Sequence, residues 1–200
     1  MYIIGITGGT GSGKTVALRA LEDIVTFTLD CDAIYHGLLR ENDMMKAEIE
    51  ENFHGVLVNN EINRTKLGEI VFQDESALLK LNAITHKYVA REIKRRLAFW
   101  EKQDRIVVAL DAIALIESGV FLLCDILIGI IAPVETRVTR IMQRDRITRE
   151  QALQRINAQK PDLFYIDNCD YVLENTYETT EEFEKKCKDW FTEALAQKKI

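Results

Sequence analysis

Residues 8–15 read Gly-Gly-Thr-Gly-Ser-Gly-Lys-Thr, and Gly8, Gly13, Lys14 and Thr15 satisfy the spacing Gly-x-x-x-x-Gly-Lys-[Ser/Thr]. A loop of this kind needs a strand before it and a helix after it. Its successive amides curl around phosphate oxygens, and the helix N-terminus adds partial positive charge. Both flanks are present: the apolar run Tyr2–Ile6 precedes the loop, and Val16–Ile24 follows with helical spacing. ATP contacts are therefore expected from Gly9, Thr10, Gly11, Ser12, Gly13, Lys14, Thr15 and Val16. Lys14 is expected to reach the β- and γ-phosphates, and the Thr15 hydroxyl to ligate Mg²⁺.

Four more short apolar runs follow, at Val25–Leu29, Ile106–Leu110, Ile126–Ala132 and Tyr171–Leu173, with segments of helical periodicity between them. Strands alternating with helices predict a parallel sheet covered on both faces. The expected fold is α/β: a P-loop kinase fold of one domain over residues 1–200, with five parallel strands between helices and the P-loop strand central. Leu81, Ile84, Tyr88 and Leu97 predict a long helix through Trp100. Phe183, Cys187, Trp190, Phe191, Ala194 and Leu195 predict a C-terminal helix with one buried face, opened by a Thr179–Glu182 capping box. Between Asp43 and Phe72 no strand is expected, only two short helices around the connection Gly55–Arg64. An acceptor-binding insertion is placed at about 33–100 and a lid at about 137–160.

The loop says nucleotide but not what happens to the γ-phosphate. Neither Asp-x-x-Gly nor Asn-Lys-x-Asp occurs anywhere, which argues against a GTPase, and 200 residues are short for an ATPase motor. A small kinase remains. The net charge of −6 disfavours nucleic-acid partners, since phosphate neutralisation needs Lys and Arg. No apolar run approaches the roughly 18–20 residues of a membrane span, and Met1–Gly13 has no basic start. A cytoplasmic monomer is expected. Cys31, Cys124, Cys169 and Cys187 form no Cys-x-x-Cys pair, so free thiols are expected and no structural zinc.

A kinase needs a carboxylate near the acceptor hydroxyl and cations over the phosphates. In this architecture the carboxyl ends of the strands face the ligand crevice. Asp30-Cys31-Asp32 closes the second strand, and Asp111 closes the third. Asp111 is a candidate Mg²⁺ contact, direct or through water, or a structural acid. Asp32 is a candidate for orienting the hydroxyl or for capping the helical stretch Ala33–Leu39. Arg137, Arg140 and Arg144 share a helical face by their i, i+3, i+7 spacing. Thr148 and Gln151 suggest a capping box that opens a second helix. Two helices carrying arginines near their junction predict a lid over a polyphosphate, supplied by a guanidinium fork that bonds phosphate bidentately.

These residues, in this order, resemble the dephospho-coenzyme A kinase family. The likeness runs nearly end to end: Ile4–Lys14; Asp30–Leu39, where Asp-Cys-Asp stands for the family's Asp-Ala-Asp; Ile62-Asn63-Arg64; Leu67–Phe72; and Leu81-Asn82-Ala83-Ile84-Thr85-His86. Arg140–Arg144, Arg155 with Gln159, and Tyr171–Asn175 complete it. Two departures stand out. Ile113-Ala114-Leu115-Ile116-Glu117 replaces Pro-Leu-Leu-x-Glu, and Lys87 follows His86 where proline is usual. The resemblance implies transfer of the ATP γ-phosphate to the ribose 3′-hydroxyl of dephospho-CoA, with Mg²⁺. It places Asp32 at the acceptor hydroxyl, with His86, Glu117 and Arg155 as further acceptor contacts. It places Arg140 and Arg144 in the lid and Asn175 on the nucleotide side. A kinase of another nucleotide or nucleoside, and a non-catalytic nucleotide-binding module, are the rival readings.

Overall fold

The computed structural model describes residues 1–101 and 106–198. Five strands, β1 (Tyr2–Thr7), β2 (Phe27–Asp30), β5 (Val107–Asp111), β6 (Ile126–Ile131) and β7 (Tyr171–Glu174), form one sheet in the order β2-β5-β1-β6-β7. Every pairing is parallel, and the P-loop strand is central. The second strand starts two residues later than the apolar run suggests. The amides of Ile24 and Val25 still bond back to the Leu21 carbonyl and so prolong the turn after the first helix.

Both faces of the sheet are covered. On one, Ile4, Ile6, Ile128 and Ile130 pack with α1 (Lys14–Ala20) and α9 (Thr180–Lys198), whose stripe Phe183, Cys187, Phe191 and Leu195 is buried as its spacing predicts. Thr179 and Glu182 exchange the two bonds of the capping box. On the other face, Leu29, Val108, Leu110 and Leu127 pack with α2 (Cys31–Glu41) and α5 (Glu75–Trp100). Burying several such side chains, at about 1.5–3 kcal/mol each, is what holds the layers together.

The segment between β2 and β5 builds a second core of its own. Here α3 (Asp43–Asn52), α4 (Arg64–Gln73) and α5 bury Met45, Ile49, Phe53, Leu67, Val71, Leu81, Ile84 and Tyr88. The two expected helices are present, but they are joined by a hairpin that the hydrophobic pattern does not show. Its strands β3 (Leu57–Val58) and β4 (Glu61–Ile62) are antiparallel and only two residues long. Asn59 and Asn60 both have positive φ, 51° and 66°, as a two-residue hairpin turn requires. Lys46 fastens the turn. Its ammonium, only 2% exposed, donates to the carbonyls of Asn60 and Arg40 and pairs with Asp43.

Past β6, α6 (Val134–Asp145) and α7 (Arg149–Asn157) pack through Val138, Ile141, Ala152 and Ile156. The Thr148–Gln151 capping box forms as expected. The short helix α8 (Asp162–Asn168) leads into β7.

Candidate active site

Strand register builds the site first. Asp111 lies opposite Asp30 on β2 and Ile6 on β1, so the loop leaving β1 emerges beside two strand-end carboxylates. Lys14 Nζ bonds Asp111 Oδ1 at 2.9 Å. The Thr7 hydroxyl donates to the Ile113 carbonyl at 3.0 Å and ties the start of the loop to the segment after β5.

Gly13 precedes α1 in the left-handed region, φ 108°, with no side-chain cap. A Cβ there would stand 2.4 Å from Asn175 Nδ2, and one on Gly8 would stand 2.2 Å from the Ile130 carbonyl oxygen. Both the turn and the close packing therefore demand glycine. The amides of Lys14 and Thr15 open α1 and have no intrahelical partner, so they are available to phosphate oxygens. Thr15 is exposed and Val16 half-buried, whereas Ser12 is buried with its hydroxyl unpaired among the described residues.

The cradle is braced from behind. Asn175, 2% exposed, donates from Nδ2 to the Ser12 carbonyl at 2.9 Å and accepts from Arg140 at 3.2 Å. Arg140 also reaches the Gly11 carbonyl, at 3.3 Å. Arg137 is 2% exposed; it donates to the Thr10 carbonyl and contacts Asp162 and Gln159. Gln159 in turn accepts from the Thr10 amide at 2.8 Å. Only Arg144 on this helix face is open to solvent. It grips Asp145 and touches the Thr10 hydroxyl at 3.3 Å. The arginine face is thus divided: Arg137 and Arg140 underpin the loop, and Arg144 stands at its edge. The Asn175 side chain is committed to the loop's own backbone.

Asp30, not Asp32, caps α2: its Oδ1 accepts from the Ala33 amide at 2.8 Å. The helix begins at Cys31, two residues ahead of the expected stretch, which shifts the cap to the first acid of the pair. Asp32 is left free to face a cavity of about 610 Å³. Although the residue is exposed as a whole, partial desolvation of its carboxyl is the strongest influence raising the Asp32 pKa. The Lys14 ammonium opposes that, and the negative charges of Asp30 and Asp111 add to it.

Three helices wall the cavity. One face of α2 contributes Asp32, Tyr35 and Leu39; α4 contributes Arg64, Thr65, Gly68 and Phe72; α5 contributes Leu81, Asn82, Thr85, His86 and Val89. Burial lowers the His86 pKa, which favours the neutral imidazole. Glu117 and Arg155, both expected at the acceptor, do not line this cavity. Glu117 is exposed and acts electrostatically on Tyr165, while Arg155 pairs with Asp145 beside Arg144. Tyr35, Arg64 and Gln159 are the residues whose part goes unassigned by spacing alone. Asn63, just before Arg64, caps α4 through the Lys66 amide, and such a cap is a usable signal for a helix start at the cavity.

The four cysteines are free, and burial pushes each thiol up to about 12. Cys31, beside Asp32, is therefore an unreactive packing residue at neutral pH. No described helix is long and apolar enough to cross a membrane.

Comparison with known proteins agrees with this geometry. Residues 2–181 match the family model described as dephospho-CoA kinase. The dephospho-CoA kinase of Lactobacillus johnsonii is 34% identical over 194 residues, covering 96% of this chain and 98% of the relative. The crystal structure of TT1252 from Thermus thermophilus superposes with a TM-score of 0.77 at 32% identity, covering 96% and 97% of the two chains. Dephospho-CoA kinase from Campylobacter jejuni gives a TM-score of 0.70 at 25% identity, over 99% and 98%. A P-loop braced by arginines, a carboxylate-bearing helical cavity beside it and matches across the whole chain place this protein in the dephospho-CoA kinase family.

Proposed function

We propose that the protein transfers the γ-phosphoryl group of ATP to the 3′-hydroxyl of dephospho-CoA, giving CoA and ADP. One observation carries this reading. The cavity carboxylate Asp32 stands in the first turn of α2, two residues after Asp30, whose register partner Asp111 holds the P-loop lysine, Lys14, at 2.9 Å, so an acceptor in the cavity meets a phosphate donor in the cradle.

The hydroxyl oxygen attacks the γ-phosphorus, the bond to the β,γ-bridging oxygen breaks, and ADP leaves with that electron pair. Asp32 accepts a hydrogen bond from the hydroxyl, orients it and takes its proton as the new bond forms. Such transfers are largely dissociative, so orientation outweighs early deprotonation. Lys14 leaves Asp111 for the β- and γ-phosphates and stabilises charge spreading onto the transferring group. Arg144 closes from the loop edge, and α6–α7 act as the lid.

The donor set fits Mg²⁺. Thr15 offers an exposed hydroxyl and Asp111 a half-buried carboxylate. Among the described residues no three His, Cys, Asp or Glu side chains gather into a metal cage. Mg²⁺ takes most of its ligands from phosphates and water, with one or two from protein. When bound it would neutralise phosphate charge, held by Thr15 with Asp111. Net charge −6 supports a protein that binds no nucleic acid, and four free cysteines support a reducing, cytoplasmic setting.

The test is incubation with Mg²⁺–ATP and dephospho-CoA, with ADP followed by a coupled assay and the product weighed by mass spectrometry. Equimolar CoA and ADP are expected. Turnover of adenylate or uridine in preference to dephospho-CoA would replace this reading with another nucleotide kinase. No ADP from any acceptor would leave a binding module.

A further inference from the structure

Three buried side-chain oxygens find no hydrogen-bond partner among the described residues, those of Tyr2, Ser12 and Tyr165. Ser12 belongs to the phosphate loop. Tyr165 does not, yet it is fully buried on α8, the helix that also carries Asp162 of the loop's brace. Its place in the fold is tight. Gly129 on β6 has no side chain, and a Cβ there would stand 3.3 Å from the Tyr165 Cβ, so α8 lies close on the sheet. Leaving a buried hydroxyl unpaired costs stability, and phenylalanine would fill the same space without that cost. Packing therefore accounts for the ring and not for the oxygen.

Asp162 comes one turn before Tyr165, at the i, i+3 spacing that puts two side chains on one face of a helix. That face meets Arg137, whose Nη1 lies 3.3 Å from Asp162 Oδ1. Arg137 braces the loop tip directly. Its Nε donates to the Thr10 carbonyl at 2.9 Å, and a Cβ on Gly9 would stand 2.3 Å from its Nη2. The grip on Arg137 itself is incomplete. The Asp162 contact is long beside the about 2.7–2.9 Å of a well-made bond between a guanidinium and a carboxylate, and the Gln159 contact is also 3.3 Å. A guanidinium has about five N–H donors, and among the described residues only these three bonds engage it. A phenol oxygen can accept from one of the others. Burial raises the Tyr165 pKa to about 12, the Glu117 charge adds to the rise, and the Arg137 charge opposes it. The phenol is therefore neutral at pH 7.

We propose that Tyr165 is a positioning residue for the nucleotide loop: its hydroxyl completes the hold on Arg137 when phosphates occupy the cradle, and so fixes residues 9–11. Phosphate oxygens draw the loop amides toward them. The Thr10 carbonyl moves with those amides, and Arg137, bonded to it, follows. The guanidinium then meets the phenol oxygen that has no partner in the nucleotide-free protein. Thr10, whose hydroxyl Arg144 touches at 3.3 Å, is thereby held at the loop's edge. The device needs only that the loop binds nucleotide, and it is indifferent to which hydroxyl compound is the acceptor.

The test is calorimetric titration of Mg²⁺–ATP into the wild type and Tyr165→Phe with no acceptor present, together with the melting temperatures of the nucleotide-free proteins. Phenylalanine keeps the ring and removes only the oxygen. Nucleotide-free Tyr165→Phe should melt no lower than the wild type, because the resting fold loses no bond. Its Kd for ATP should rise about 10- to 100-fold, the span expected for one hydrogen bond to a charged group. A tyrosine with a merely structural role would leave that Kd where it is. In Arg137→Gln the ATP Kd should rise as well. Adding Tyr165→Phe to that background should change it by less than about twofold, since the phenol acts through the guanidinium. An ATP Kd within about twofold of wild type in Tyr165→Phe would overturn the proposal. So would a lower melting temperature of the nucleotide-free variant, because the hydroxyl would then be bonded already at rest. Two losses that multiply in full in the double variant would overturn the route through Arg137. Where Arg137→Gln fails to fold, Tyr165→Phe alone decides. A wild type that binds no ATP would overturn the loop's own assignment and this proposal with it, and the wild-type titration tells that failure from the others.

Discussion

The P-loop cradle and the helical cavity proposed for the acceptor meet at the carboxyl ends of the central strands and are built on opposite plans. In the cradle nearly every side chain behind the loop is spoken for: Asn175, Arg140, Arg137 and Gln159 hold the carbonyls and an amide of residues 10–12. The cavity is walled by three helices and leaves its charged groups, Asp32 and Arg64, without a hydrogen-bond or ion-pair partner among the described residues. A phosphate group is the same in every ATP-dependent kinase, so its site can be fixed in advance by backbone. An acceptor must be told from other hydroxyl compounds, and that task needs side chains kept free for it.

Among changes to the cradle, the largest effect should come from removing its charge. Lys14→Ala should lower kcat about 10²- to 10³-fold, as loss of transition-state electrostatics does, with the melting temperature little changed. Turnover at half the wild-type rate would remove Lys14 from the chemistry.

Next comes the bracing behind the loop. Asn175→Ala leaves the Ser12 carbonyl and Arg140 short of a partner in a buried place, at a cost of about 1–3 kcal/mol in stability. The KM for ATP should rise and that for dephospho-CoA should not. Denaturant unfolding and two-substrate kinetics check this, and an equal rise in both KM values would mean that cradle and cavity are one coupled unit.

The smallest effect sharpens the contrast on the acceptor side. Asp30→Asn should keep the cap of α2, because asparagine caps about as well as aspartate. It removes a negative charge that raises the Asp32 pKa. In the proposed mechanism Asp32 works as the ionised carboxylate, so activity should be lost as pH falls through its pKa. That acid limb should lie above the ordinary aspartate value in the wild type and move to lower pH in Asp30→Asn. A pH profile of kcat/KM reads the shift, and an unmoved limb would assign it to another group.

The sheet and the loop were legible because their signals are local: apolar runs of strand length, and a glycine pattern that only a phosphate-binding turn needs. The short hairpin at Leu57–Ile62 was not, since two residues per strand give no alternation. Its one trace is the adjacent pair Asn59-Asn60. Within the site, Lys14 could be found from the glycine spacing of the loop and the Asp30/Asp32 pair from a strand end, but which acid caps depended on the helix starting at Cys31. Arg155 and Glu117 were expected at the acceptor and are not among the residues lining the cavity beside Asp32. Their positions follow from tertiary neighbours, Asp145 for one and the exposed loop after β5 for the other. Arg64 lies in the stretch Ile62-Asn63-Arg64 that carries the family likeness, but only the folded cavity shows its guanidinium without a partner among the described residues.

Asp32 is where the two plans meet, and Asp32→Asn with dephospho-CoA and Mg²⁺–ATP tests the account most directly. The asparagine keeps size and hydrogen-bonding oxygen and loses the charge. With the cap already supplied by Asp30, the melting temperature should not move. General-base and orienting roles imply a fall in kcat of about 10²- to 10⁴-fold. Wild-type turnover in this variant would contradict the account and shift the search for the acceptor carboxylate to Asp111.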